Sequence, residues 1–309
     1  MKMVSENEIS KIGELLRDEK RPLKERFRAL FTLRNLGGAS SIAEISSAFS
    51  DSSALLKHEL AYCLGQMGDV AAIPILTQIL EDTKQEPMVR HEAGEALGAI
   101  GCPSVEGLLE RYSKDPVVEV AETCQLALAR LRWLKSEESK SNNFNSEHFL
   151  SVDPSPPSAQ SDLEQLGKSL LDETLPLFDR YRAIFSLRNL NTAESAKVLA
   201  KGFQSSSALF RHEVGFVLGQ MASEGVVREL AEVVRNRAEN EMVRHEAAEA
   251  LGSIATEEAM RVLNQYLSDE ARVVKESCQI ALDMCEYEHS SEFQYADALS
   301  KVNGSSGNL

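Results

Sequence analysis

Aromatic residues fill only 6% of the 309 positions, with a single Trp, and Gly (17) and Pro (9) are scarce. Such a chain suits a helical protein built from Ala and Leu rather than a turn-rich one. Cysteine is also sparse. The five thiols (Cys63, Cys102, Cys124, Cys278, Cys285) are odd in number and none forms a CxxC pair, so no disulfide framework is expected. No run of 18 apolar residues exists, which excludes a membrane-spanning helix. Met1 to Glu6 has no apolar core, so a secretory signal is not expected. Basic charge is short as well. Asp and Glu number 48 against 33 Lys and Arg, for a net charge of −15. That field repels nucleic acid and anionic membrane, attracts basic ligands and favours solubility. There is no Gly-rich phosphate loop, no GxSxG and no dinucleotide fingerprint. A reducing compartment, cytoplasm and secondarily nucleus, fits these shortages.

What the chain does contain is a copy of itself. A shift of 154 residues overlays Phe27-Arg28-Ala29-Leu30-Phe31-Thr32-Leu33-Arg34-Asn35-Leu36 on Tyr181-Arg182-Ala183-Ile184-Phe185-Ser186-Leu187-Arg188-Asn189-Leu190. The same shift carries Cys124 onto Cys278. Within each half a period near 33 residues recurs, as when Leu64-Gly65-Gln66-Met67-Gly68 is echoed by Leu97-Gly98-Ala99-Ile100-Gly101. Apolar residues at three and four, such as Ala93, Ala96, Leu97 and Ile100, give helical spacing. The first half reads as four helical hairpins, 5–18 with 25–36, 41–50 with 54–67, 71–83 with 88–100 and 104–113 with 117–134. Pro22, Pro74, Pro87, Pro103 and Pro116 fall at or near the predicted helix starts, where a missing N–H does no harm. The run Val-Arg-x-x-Ala-x-x-Ala-Leu-Gly-x-Ile resembles short HEAT-like repeats, and the ankyrin and TPR signatures are absent. The expected fold is therefore all-α, an α-solenoid of two pseudo-symmetric halves with four hairpins each. Residues 1–135 and 161–289 form the halves, the polar 136–160 a flexible linker and 290–309 a flexible tail. The Gly of each Leu-Gly step costs about 1 kcal/mol in a helix, so it predicts close approach of neighbouring helices. Asn35 and Asn189 read as helix C-caps, Cys124 and Cys278 as small buried hydrophobes, and Arg90 and Arg244 as holders of acidic groups.

The chemistry lies in four dipeptides. Of six histidines, four are followed by Glu: His58-Glu59, His91-Glu92, His212-Glu213 and His245-Glu246. His58 to His91 and His212 to His245 both span 33 residues, and the pairs are 154 apart. Each dipeptide falls early in the second helix of a central hairpin. Imidazole and carboxylate are the usual ligands of iron, zinc and manganese. A single His-Glu step is ordinarily a solvated face, and repeats also copy residues for packing. Packing would not single out the two central hairpins of each half, and metal binding does. Four neutral rings and four carboxylates balance two divalent cations. Glu95 and Glu249, one turn after His91 and His245, read either as acceptors for the ring N–H or as helix ion-pair partners. His148 and His289 lack a partner at the 154 shift and are not expected to ligate.

Two halves of four HEAT-like repeats with His-Glu in the central two resemble the deoxyhypusine hydroxylase family, over nearly the whole chain outside linker and tail. The resemblance implies a di-iron monooxygenase that uses O2 to hydroxylate the deoxyhypusine side chain of the precursor of translation initiation factor 5A. It further implies two Fe(2+), one held by His58, His91 and Glu92 and the other by His212, His245 and Glu246. Glu59 and Glu213 match motif positions that either ligate iron or hold the cationic amine of the substrate. A monomer is expected from the polar ends of the array. Two alternatives remain at this point, a non-catalytic protein-binding scaffold and a two-metal hydrolase.

Overall fold

The computed structural model describes residues 4–141 and 149–304, which are helical with no strand among them. The hairpins of the first half are α1 (Glu6–Arg17) with α2 (Leu23–Leu36), α3 (Gly38–Ser46) with α4 (Ala54–Met67), α5 (Ile73–Glu81) with α6 (Pro87–Ile100), and α7 (Glu106–Tyr112) with α8 (Val118–Leu134). A short α9 (Glu137–Ser141) opens the connector. The second half pairs α10 (Leu163–Leu171) with α11 (Leu177–Leu190), α12 (Ala193–Ala200) with α13 (Ala208–Met221), α14 (Val227–Arg235) with α15 (Glu241–Ile254), and α16 (Glu257–Gln265) with α17 (Arg272–Glu288). A final α18 (Ala298–Gly304) follows. Among the described residues no helix is long and apolar enough to cross a membrane.

Local chemistry sets the boundaries. Ser53 and Ser207, equivalent at the 154 shift, accept from the backbone N–H of Leu56 and Phe210 and start α4 and α13. Pro87 opens α6, and Pro22 and Pro176 immediately precede α2 and α11. Asn35 and Asn189 are not C-caps. Helix α2 continues to Leu36 and stops at Gly37 with φ 68°, and α11 stops at Asn191 with φ 47°. The residue that tolerates the left-handed conformation lies two positions later in each case.

The second helices pack side by side, α2 on α4, α4 on α6, α6 on α8, and likewise α11 through α17. The series then closes, because α8 meets α11 and α13 while α17 meets α2 and α4. Eight helices thus form a ring, with the first helices of the hairpins outside it. Glycine permits the close approach along the ring. A Cβ on Gly65 would stand 2.7 Å from the Ala96 backbone, on Gly98 2.7 Å from Ala127, and on Gly252 2.7 Å from Ala281. Equivalent polar contacts seal the two seams. Glu276 of α17 accepts from the Ser53 hydroxyl at 2.7 Å, and Glu122 of α8 from the Ser207 hydroxyl at 2.6 Å. Arg90 and Arg244 do hold acids, but these are Asp115 and Asp269, each at 2.6 Å beyond the next outer helix. Each also donates Nε to a carbonyl ten residues earlier, as Arg26 and Arg180 do. This contact fastens the second helix of a hairpin to the end of the first. Cys124 and Cys278 are fully buried, and all five thiols are free.

The described parts of the linker and tail make specific contacts with the helical ring. Each leaves the end of one half and latches onto the other. In the linker, Glu138 pairs with Arg182 and the Ser158 N–H donates to Ser186 Oγ at 2.8 Å. In the tail, Glu292 pairs with Arg28 at 2.7 Å and the Ala298 N–H donates to Thr32 Oγ1 at 3.2 Å. Arg182 and Ser186 are the 154-shift equivalents of Arg28 and Thr32, so the latches correspond. The anchors lie 20 residues apart in the linker (138 to 158) and 6 apart in the tail (292 to 298). The linker therefore carries 14 extra residues between equivalent anchors. Those from Ser151 to Asp153 are tied down by Gln66, Arg130, Arg188 and Gln220. His289 ends α17, its Nδ1 2.7 Å from the Cys285 carbonyl, and His148 lies outside the described residues.

The ring makes opposite predictions for two helical glycines. Alanine ordinarily gains up to about 1 kcal/mol over glycine in a helix. Gly107→Ala, where nothing lies within 4 Å of the new methyl, raises Tm. Gly252→Ala drives the methyl into Ala281 and lowers stability by roughly 1–3 kcal/mol. Thermal denaturation of both variants reads the signs.

Candidate metal centre

Ring closure brings the four dipeptides to one place. His58, His91, His212 and His245 are each the fifth residue of their helices, α4, α6, α13 and α15. They sit past the first turn, so their side chains do not compete with the free N–H groups that start a helix. They face the inside of the ring, where a cleft of about 230 Å³ is lined by His58, Glu59, Glu92, His212, Glu213 and Glu246. His91 and His245 stand behind these and are wholly buried.

Distances are short and nearly two-fold symmetric. Ring centroids lie 5.4 Å apart for His58 and His91, 5.4 Å for His212 and His245, and 5.7 Å for His58 and His212. His58 Nε2 is 3.2 Å from Glu92 Oε2, and His212 Nε2 is 3.3 Å from Glu246 Oε2. Neither approach has hydrogen-bond alignment. Both nitrogens of His58, His91 and His212, and Nε2 of His245, are buried without a hydrogen-bond partner. An unpaired buried polar atom costs about 1–3 kcal/mol, so seven such nitrogens in one cavity require another partner.

Electrostatics points the same way. Burial, then the neighbouring His58, lowers His212 to about 3. Burial also holds His91 and His245 well below the usual imidazole range, with His212 and His58 next in effect. Burial is the largest single effect on His58 and opposes its charge, but Glu92, Glu59 and Glu246 together outweigh it and raise the ring to about 9. Burial and then Glu249 push Glu59 up to about 8. Glu213 and Glu246 are also driven well above the carboxylate range by burial, with Asp153 and Glu249 the next causes. Without an added cation, these acids hold protons and most of these rings cannot.

The donor set fits two hard-to-borderline divalent ions. His58, His91 and Glu92 offer ligand atoms within 4.8 Å of one another. The same holds for His245, Glu246 and Glu249, and for His58, His212 and His245. Metal–ligand bonds of about 2.0–2.2 Å span such groups with small inward shifts. No thiol joins them. Glu249 accepts from Ser277 at 3.1 Å and sits 3.4 Å from His245 Nδ1, an orienting contact for that ring. Glu95, its counterpart, is raised well above the carboxylate range by burial and then Glu92.

The cleft also holds residues that the His-Glu pattern did not reveal. Tyr62 and Phe216 meet edge to face at 5.8 Å, and Gln66 and Gln220 follow one turn later. They stand four and eight residues after His58 and His212, so the 154 shift combined with helical spacing marks them. Val152, Asp153 and Pro154 also line it. They have no counterpart at the shift, and the sequence gives no signal for them.

Known proteins share this sequence and this fold. A model of HEAT repeats matches residues 9–87 and 196–283, and one of the PBS lyase HEAT-like repeat matches 89–114. Deoxyhypusine hydroxylase of Mus musculus is 59% identical over 300 residues, 97% of this chain and 99% of that protein. The Drosophila melanogaster enzyme of that name is 60% identical over 302 residues, again 97% and 99%. A solved structure of human deoxyhypusine hydroxylase in complex with glycerol superposes with a TM-score of 0.89 at 57% identity, covering 91% of this chain and 97% of that one. With eight ring helices, four His-Glu steps at one cleft and likeness along almost its full length, the chain belongs to the deoxyhypusine hydroxylase family.

Proposed function

We propose that this chain is a deoxyhypusine monooxygenase, which hydroxylates the deoxyhypusine side chain on the precursor of translation initiation factor 5A and works as a cytoplasmic monomer. The observation that carries the reading is the set of buried, unpartnered imidazole nitrogens beside carboxylates in one cleft. His58, His91 and Glu92 would hold one iron, and His212, His245 and Glu246 the other. When bound, the iron pair would supply the oxidising power, which no side-chain base can provide, to put one atom of O2 into a C–H bond, the other leaving as water with two electrons and two protons from an external reductant.

The side chains do the positioning. Glu59 and Glu213 lie beside the ligand set and take the ammonium of the substrate arm. Glu59 is 7% exposed and reaches the cleft through its oxygens, so a bound ammonium replaces the proton that burial favours there. Tyr62 and Phe216 flank the methylene stem and exclude water from the reacting carbon. The chain's net charge of −15 draws in a basic partner loop.

Glu92→Ala and Glu59→Ala separate the roles. The first is expected to lose stoichiometric iron, read by metal mass spectrometry. The second retains iron but weakens binding of the deoxyhypusine-bearing protein by roughly 10- to 100-fold, as expected for one lost charge-assisted contact. Equal iron loss in both rejects the assignment, and zinc or manganese in the purified protein with no O2 dependence rejects the monooxygenase.

Metal-free protein carries a second signature. Between pH 6.5 and 8, Glu59 and its neighbours hold protons that the unfolded chain has already released, and His58 behaves likewise. Stability therefore falls as pH rises through that window. His212 has the opposite slope, but only below its usual 6.5. Tm of the stripped protein is expected to drop from pH 6.5 to 8. Iron loading removes the drop, since the ions replace the protons.

A further inference from the structure

The pseudo-two-fold axis gives the cleft two equivalent mouths, one over the α2–α17 seam and one over the α8–α11 seam. Corresponding residues frame them. Arg34, Glu59, Glu249 and Met284 border the first, and Arg188, Glu213, Glu95 and Arg130 the second, each pair related by 154. The mouths are not alike. Over α8–α11, the backbone of Val152–Pro154 crosses the opening. Asp153 is clamped on Arg188 at 2.6 and 2.9 Å, and its carbonyl accepts from Arg130 Nε at 2.9 Å. The Gln66 amide holds Val152 through both its N–H and its carbonyl, at 2.8 and 3.2 Å. The hollow outside this strap ends on strap residues and does not reach Glu213 or Glu95. Among the described residues no such strap is clamped over α2–α17, where the tail lines the groove with Phe293 to Ala296. A groove runs inward between Phe31, Met284 and Tyr295 to the carboxylates of Glu59 and Glu249. Burial reports the same difference, because Glu213 Oε1 is sealed without a partner while Glu59 has no such sealed atom.

We propose that substrate enters only over the α2–α17 seam, and that the Val152–Pro154 strap closes the equivalent mouth. This rests on the deoxyhypusine-hydroxylating reading given above. The groove fits an aliphatic primary amine carried on a protein. Its apolar and aromatic walls accept a methylene stem, and Glu59 at its inner end meets the ammonium. Arg34 stands over the Tyr62 ring at the rim, 6.0 Å from its centroid, and leaves the acidic floor clear. The strap is a specificity device that makes a symmetric centre one-handed, so the arm meets Glu59 first.

Charge placed at each mouth tests the proposal. Gln294→Lys adds a cation at the exposed rim of the open groove, and Met284→Arg copies onto it the residue found at the closed mouth. Leu150→Lys adds the same charge at the exposed outer face of the strap. Steady-state kinetics on the deoxyhypusine-bearing protein should show KM raised roughly three- to tenfold in the first two, with kcat and iron content unchanged. One unit charge a few ångströms from another in water is worth that much. The effect shrinks as ionic strength rises, and Leu150→Lys keeps the wild-type KM. A raised KM in Leu150→Lys with none in Gln294→Lys overturns the proposal, and equal effects at both mouths overturn it too. Failure of the wild-type protein to act on this substrate at all would instead sink the underlying reading.

Discussion

The constraint on which the molecule depends is that eight ionisable side chains share a space from which water is largely excluded. Imidazole nitrogens with no partner and carboxylates pushed toward their protonated forms are costly in isolation. They persist because the ring fixes their backbones. Each histidine occupies the same place in its helix, and each helix is held to its neighbour by a glycine that lets the axes close up. The ring thus creates the unfavourable arrangement, and a pair of cations would relieve it. Such a site could take metal with the scaffold rather than the ligands bearing the strain.

Much of this was legible in the chain. Internal repetition at 154 and near 33 residues dictates hairpins, and the helix positions follow to within a few residues because proline and serine mark the starts. The Leu-Gly steps give the close packing in advance, since a helical glycine needs a reason. Convergence of the four dipeptides also follows, given one assumption, that the halves face each other. Closure of the ring supplies that assumption through contacts between residues more than 200 apart, such as Glu276 with Ser53, which no local pattern announces.

What was not legible has physical reasons too. Composition marks the linker and tail as polar and Ser-rich, and polar composition ordinarily means weak burial. Yet these segments are held largely by hydrogen bonds and ion pairs, with a few apolar contacts such as Ala298 in the tail, and hydropathy is blind to the polar part. Asp153 illustrates the point, because nothing about an Asp-Pro in a Ser-rich stretch says that it will be clamped between Arg130 and Arg188. Asn35 and Asn189 misled for a different reason. A cap is set by the residue that accepts a positive φ, and Gly37 and Asn191 accept it first.

The paired latches carry one more implication. Each half reaches across to grip the other through equivalent residues, which is how the subunits of an isologous dimer exchange arms. Two identical subunits would be obliged to present identical faces, since symmetry copies every loop. Joining the halves in one polypeptide lifts that obligation. One crossing becomes a covalent tether, with 14 more residues between its anchors than the other has. Handedness at the centre is thus a property that only the fused chain can possess.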